Sequence, residues 1–305
     1  MRELIDFNLY PIPPALIISK LRWKYLVRSV IRAKNIMIVG HTGTAKTYTA
    51  QCVATALNRP FFKINLGSTD DAQATLLGNT TYKKEVGTIF HKSSFVTAIT
   101  TPNTVVLIDE LTRGTHSAWN ILFPVFDPIQ RCLRLDEFES GDTIKVAEGV
   151  CFIASANIGT EYTSTHTLDR ALSRRFPIKL EMPLLTGDEL KHLFNILFPT
   201  RSDEEKRIME TLAEISDDLL AQCKLEDAKI STVVSPSSMV EMAEIVMDGF
   251  ILEEIAEAMI YPEYSEDGGA DSERSFVREI LQKHFPKNVK SPINDPLKNR
   301  KKASF

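Results

Sequence analysis

The octapeptide Gly40-His41-Thr42-Gly43-Thr44-Ala45-Lys46-Thr47 directly follows the apolar run Ile36-Met37-Ile38-Val39. A buried strand that ends in a glycine-containing turn and opens a helix is the layout of a phosphate-binding loop. The turn's N–H groups and the helix dipole both favour an anion there. Lys46 is expected on the outer phosphates and the Thr47 hydroxyl on a magnesium ion. Ala45 departs from the usual pattern, where the last loop position is glycine. A second run, Thr104-Val105-Val106-Leu107-Ile108, ends in the adjacent carboxylates Asp109 and Glu110. Two charges at the end of a buried strand are costly unless they face a cation or do chemistry. Asp109 suits the hydrated metal, directly or through water, and Glu110 the polarisation of an attacking water. By itself a strand ending in Asp-Glu is a common loop start. Downstream of Lys46-Thr47 it completes the site of a nucleotidase.

Two further groups fit that chemistry. Phe152-Ile153-Ala154-Ser155-Ala156-Asn157 places Asn157 at the end of another apolar run, where it can orient the water between Glu110 and a γ-phosphate; an ordinary turn asparagine is the plainer alternative. Leu168–Phe176 carries Arg170, Arg174 and Arg175. Such a cluster is usually a solvated face, but in a ring of nucleotidases it reaches the neighbouring subunit's site, and a guanidinium stabilises charge on the transferred phosphoryl group.

The elements that must position these groups alternate between strand and helix. Ile36–Val39, Phe61–Leu66, Thr104–Ile108, Val150–Ala154 and Phe176–Leu180 are short apolar runs, and each connection is long enough for a crossover helix. That predicts a parallel five-stranded sheet covered on both faces, with ligands beyond the carboxyl ends of the strands. A helix is expected over Ala15–Ala33, after Pro11-Ile12-Pro13-Pro14, with Lys20, Lys24, Arg28 and Arg32 on one solvated face. Gly78–Phe90 and Arg131–Gly149 read as hairpins. After Pro183 helical periodicity takes over, with helices over Asp203–Cys223, Ser237–Phe250 and Ser275–Phe285. The expected division is 1–34 as an extended segment and helix, 35–184 as an α/β core, 185–262 as a small helical domain, and 263–305 as a polar loop, a last helix and a basic, disordered tail from Pro286.

The chain has 305 residues, 43% hydrophobic and 25% charged, which suits a globular protein with a sizeable core. A net charge of −4 argues against a broad nucleic-acid footprint. The four cysteines are far apart, without a Cys-x-x-Cys pair, and the six histidines show no ligand spacing, so reduced thiols and no structural zinc are expected. No apolar run reaches a membrane span and Met1-Arg2-Glu3-Leu4 is not a signal peptide, so a cytoplasmic protein without membrane contact is expected.

The order Gly40–Thr47, Val105–Glu110, Ala154–Asn157 and Leu168–Phe176, followed by a helical region, resembles an AAA+ ATPase. Within that superfamily the chain is similar to the MoxR branch, and most of all to CobS-like cobaltochelatase-type ATPases. The finer matches are Gly40-His41-Thr42-Gly43-Thr44, Leu133-Arg134-Leu135-Asp136-Glu137, Ala154–Gly159 and Glu161-Tyr162-Thr163-Ser164-Thr165, and the likeness extends over about residues 15–285. The resemblance implies a three-layer αβα P-loop domain with a five-stranded parallel sheet and a helical lid. It implies ATP and Mg2+ as cofactors, with Lys46 and Thr47 as the Walker A pair and Asp109 and Glu110 as the Walker B pair. Asn157 corresponds to sensor 1 and Arg175 to the arginine finger, with Arg170 and Arg174 as rivals. Asn65 corresponds to a switch restraining the catalytic glutamate, and Arg113 to an inter-subunit contact. The hairpins would face a ring's pore or a partner, with Tyr82, Lys83 and Lys84 exposed to it. Ser237 stands where relatives carry the sensor 2 arginine, and Lys229 is a nearby substitute.

The resemblance therefore implies a hexameric, ring-forming ATPase that remodels a partner protein carrying a von Willebrand factor A-type domain. A nucleic-acid-dependent motor, supported by Lys83-Lys84, Arg131, Arg134, the basic face of the first helix and the basic tail, is the alternative, and an ATP-binding scaffold with weak turnover is a third.

Overall fold

The computed structural model describes residues 4–67, 71–83, 87–134, 143–157, 170–225 and 227–285. The chain divides into two compact units, Met1–Leu184 and Leu185–Phe305.

In the first unit α1 (Lys20–Ile31) precedes β1 (Ile36–Gly40), α2 (Lys46–Ala56), β2 (Phe61–Asn65), α3 (Ala72–Leu76) and the hairpin β3 (Gly78–Lys83) and β4 (Gly87–Lys92). Then come α4 (Ser94–Thr100), β5 (Val105–Asp109), α5 (His116–Phe126), the hairpin β6 (Cys132–Arg134) and β7 (Thr143–Lys145), β8 (Cys151–Asn157), α6 (Arg170–Arg174) and β9 (Ile178–Met182). Five strands form one parallel sheet in the order β2-β5-β8-β1-β9. The αβα P-loop architecture expected from the sequence is present.

Strand alternation splits the interior into two layers. Met37, Ile64, Val106, Ile108, Phe152 and Ala154 pack with α3, α4 and α5 on one face. Ile36, Ile38, Val105, Leu107, Cys151 and Ile153 pack with α1 and α2 on the other. Burial on both faces is why the central runs are apolar without interruption.

Among the boundaries that differ from the expectation, two have a local cause. The first helix begins at Lys20 rather than Ala15. Leu16 closes a turn onto Pro13, and the Ser19 hydroxyl then caps the helix by accepting from the Arg22 N–H. The fifth strand runs over Ile178–Met182 rather than Phe176–Leu180. The Phe176 N–H still belongs to the α6 turn, donating to Ser173, and Pro177 has no N–H to give a ladder. Both expected hairpins are strand pairs. Tyr82 and Lys83 end β3, whereas Lys84 and the turn 135–142 lie outside the described residues.

The second unit holds α7 (Gly187–Leu197), α8 (Asp203–Cys223), α9 (Pro236–Met247), α10 (Leu252–Ile255) and α11 (Glu273–Gln282). Capping boxes Thr186/Glu189 and Ser202/Glu205 open α7 and α8, and Ser235 caps α9 with Pro236 in its first turn. The last helix is not a separate appendage: Val277, Ile280 and Leu281 are buried in the same core as Leu212, Met239 and Ile255. Its apolar stripe would otherwise face water. The expected basic tail from Pro286 lies outside the described residues.

Candidate functional site

The candidate groups of the first unit converge at the carboxyl edge of the sheet. Register places Gly40 opposite Asn157, and Asn65 opposite Asp109. Because side chains alternate along strands, Lys63, Asn65, Asp109, Ser155 and Asn157 all belong to the face covered by α2.

The loop after β1 turns sharply. Gly43 (φ 73°) and Ala45 (φ 58°) are left-handed, so the alanine accepts a conformation that costs about 1 kcal/mol for a residue with a Cβ. Gly40 is required for a different reason. A Cβ there would lie 2.5 Å from the Met182 carbonyl oxygen and 2.9 Å from Thr44 Oγ1. The Thr44 hydroxyl donates to the His41 carbonyl at 2.8 Å. Lys46, 8% exposed, donates from Nζ to the carbonyls of Gly40 (3.0 Å) and His41 (2.6 Å). Burial pushes its pKa down to about 8, against the opposing pull of Asp109 and Glu110. A lysine held this way lacks full charge compensation, which suits it to an incoming anion.

Asp109, also 8% exposed, is met from three sides. Lys63 Nζ lies 2.8 Å from Oδ2, the Thr47 hydroxyl donates to Oδ2 at 3.2 Å, and the Ser155 hydroxyl donates to Oδ1. Burial pushes the Asp109 carboxyl up, but the hydrogen bonds from Lys63, Ser155 and Thr47 and the charge of Lys63 outweigh it, leaving the pKa below the ordinary carboxylate value. Two oxygens this close, Thr47 Oγ1 and Asp109 Oδ2, are a hard donor pair suited to magnesium with its retained waters.

Glu110 has a left-handed backbone (φ 56°), and its N–H donates to the Ser155 hydroxyl at 3.0 Å. One buried serine therefore fixes both carboxylate residues. The Glu110 side chain packs against Gly67, where an added methyl would fall 1.9 Å from Oε2, and pairs with Arg113 at 3.4 Å. Asn65 uses its amide oxygen to accept from the Gly67 N–H at 2.8 Å, so it shapes the backbone on which Glu110 rests. Gly67→Ala is expected to leave nucleotide binding within about twofold and to cut turnover by at least tenfold, because the new methyl displaces the Glu110 carboxylate. Equilibrium nucleotide binding beside steady-state phosphate release checks this; normal turnover would show that the carboxylate works elsewhere.

Asn157 ends β8, half-buried beside Gly40. Arg170 and Arg174 are exposed on α6. Arg175 is occupied within the chain. It donates to the carbonyls of Phe123 (3.2 Å) and Ala171 (2.8 Å), approaches Asp127 Oδ2 at 3.5 Å, and lies over the Phe123 ring at 4.9 Å. In the helical unit Ser237 is exposed in the α9 first turn, its hydroxyl 2.9 Å from that of Ser235, and the Lys229 ammonium lies over the Phe276 ring.

Lys63 and Ser155 support the site but are not among the residues that the sequence pattern points to. Both had a signal: a lysine within Phe-Phe-Lys-Ile-Asn, and a serine within an otherwise apolar buried run.

Residues 35–176 match the AAA domain of the dynein-related subfamily. The chain is similar to YojN of Bacillus subtilis, 29% identical over 191 residues that cover 62% of this chain and 60% of YojN. It is also similar to BssE of Thauera aromatica, provisionally described as a chaperone, 32% identical over 144 residues that cover 47% of this chain and 48% of BssE. The chain thus spans about half to three-fifths of these two relatives. Among solved structures a Thermotoga maritima RuvB mutant shares the fold, with a TM-score of 0.51 and 15% identity over 90% of this chain and 73% of RuvB. Among the described residues no helix is long and apolar enough to cross a membrane.

Proposed function

We propose, from the match of residues 35–176 to an AAA domain, an ATPase that binds magnesium ATP at Gly40–Thr47 and uses the energy to remodel a partner protein. The observation that carries this reading is the 3.2 Å contact of Thr47 with Asp109, which joins the phosphate loop to the carboxylate pair. Backbone N–H groups of the loop and of the α2 N-terminus take the phosphates, and Lys46 moves from the Gly40 and His41 carbonyls onto their outer oxygens. Thr47 and Asp109 hold the metal, which when bound neutralises phosphate charge and polarises the transferred group. Glu110 accepts a proton from the attacking water while Asn157 orients it.

The MoxR- and CobS-like character, the hexameric ring and a von Willebrand factor A-type partner remain part of this proposal; the description of BssE as a chaperone supports remodelling. Phosphate release by the purified chain, with ATP and magnesium, tests it. Absence of both nucleotide binding and turnover would sink it. Stimulation by a co-purifying protein with a von Willebrand factor A-type domain favours the remodeller, and strong salt-sensitive stimulation by DNA favours the motor.

For the finger we put the exposed Arg174 and Arg170 ahead of Arg175, because Arg175 is engaged inside its own chain. Arg174→Ala is expected to spare folding and nucleotide binding and to lower turnover about 10³-fold or more. Arg175→Ala is expected to cost roughly 1–2 kcal/mol of stability through the lost hydrogen bonds and ring contact. Thermal melting together with turnover separates the two. Normal turnover in Arg174→Ala, with loss in a folded Arg175→Ala protein, would return the role to Arg175.

A further inference from the structure

We propose that Lys63 is a built-in counter-cation of Asp109 that competes with the magnesium of an incoming nucleotide complex, and so sets the metal concentration at which nucleotide is held. This rests on the reading of Gly40–Thr47 and Asp109 as a magnesium–nucleotide site.

Lys63 is the middle residue of β2, an edge strand of the sheet. Its register partner is Leu107, two residues before Asp109 on the neighbouring strand. The four-carbon stem spans that diagonal and brings Nζ to 2.8 Å from Asp109 Oδ2. That oxygen also accepts from Thr47, while Oδ1 is taken by Ser155. The carboxylate is therefore committed to three donors, one of them a full cation. A metal held by Thr47 and Asp109, whether it meets Oδ2 directly or through one of its waters, competes with the ammonium for that oxygen.

The exposures of the two partners make such an exchange reversible. The Asp109 side chain is 11% exposed, so leaving it uncompensated is costly, whereas that of Lys63 is 45% exposed and its ammonium can return to water. Lys46 differs: it is 8% exposed and donates to backbone carbonyls rather than to Asp109. The site thus has two lysines with two roles, one for phosphate and one holding the carboxylate until a stronger cation arrives. Removing the Lys63 charge removes a competitor and a source of repulsion, so a divalent ion should bind more tightly.

The test titrates magnesium chloride into the full chain with a fluorescent ATP analogue and reads bound analogue directly. In Lys63→Met and Lys63→Gln the magnesium half-point is expected to fall three- to tenfold, while Lys63→Arg stays near wild type. In an Asp109→Asn background the same Lys63 substitutions are expected to move it less than twofold. An unchanged or higher half-point in both neutral variants overturns the proposal, as does an equal shift in the Asp109→Asn background. If the wild-type chain binds no analogue at any magnesium concentration, the nucleotide reading itself fails and this inference with it. Binding by the wild type with unmoved half-points rejects the Lys63 role alone.

Discussion

Lys46→Ala is expected to abolish nucleotide binding, lowering affinity at least a hundredfold in an equilibrium titration. The side chain is nearly buried and meets two carbonyls, so the native loop already tolerates its charge only in part. Phosphate supplies the missing compensation, and a methyl cannot. The same environment predicts a pH dependence. With a pKa of about 8, Lys46 loses its proton as pH rises above 8, well before the ordinary 10.5. Nucleotide binding above pH 8 must then restore that proton, so affinity should weaken with rising pH and proton uptake should appear in calorimetry run in buffers of different ionisation enthalpy. Native stability has the opposite sign. Between about pH 8 and 10.5 the unfolded chain binds more protons at this lysine than the native chain, so its contribution to stability rises with pH. Unimpaired binding by Lys46→Ala would remove the loop from the site.

Glu110→Gln is expected to retain nucleotide and to lose turnover by roughly 10²–10⁴-fold, the usual contribution of a positioned general base. The substitution keeps shape and removes only the proton-accepting charge. Its left-handed backbone and the N–H bond to Ser155 are main-chain features that an amide side chain leaves alone. The Arg113 pair at 3.4 Å is partly exposed and worth little to folding, so stability should hardly change. Single-turnover phosphate release alongside nucleotide binding checks the prediction. Wild-type release by the variant would assign water activation to another residue, and negligible release by both proteins would favour the ATP-binding scaffold.

Much of this site is legible in the sequence because its groups sit at the ends of strands. An apolar run has to stop where the sheet stops, so Gly40, Asp109 and Asn157 announce one edge, and the register makes Gly40 and Asn157 neighbours. Where turn chemistry competes with strand propensity, apolar pattern misplaces a boundary by a few residues. Pro177 delays the last strand, and the prolines near residue 13 delay the first helix. The apolar stripe of the last helix is visible, but its burial with α8 and α9 is not, since periodicity gives a face without naming what covers it.

The sequence alone determined the alternation of strand and helix, the phosphate loop, and the identity of the carboxylate pair, because each is local: a composition, a period or a spacing within about ten residues. Tertiary structure decided what those groups touch. Only packing brings Lys63 across from an edge strand to Asp109, lets Ser155 bind both halves of the carboxylate pair, seats Glu110 on Gly67, and ties Arg175 to Phe123 and Asp127 while leaving Arg174 in solvent. These contacts join residues tens of positions apart, and their strength depends on burial, which no run of letters carries.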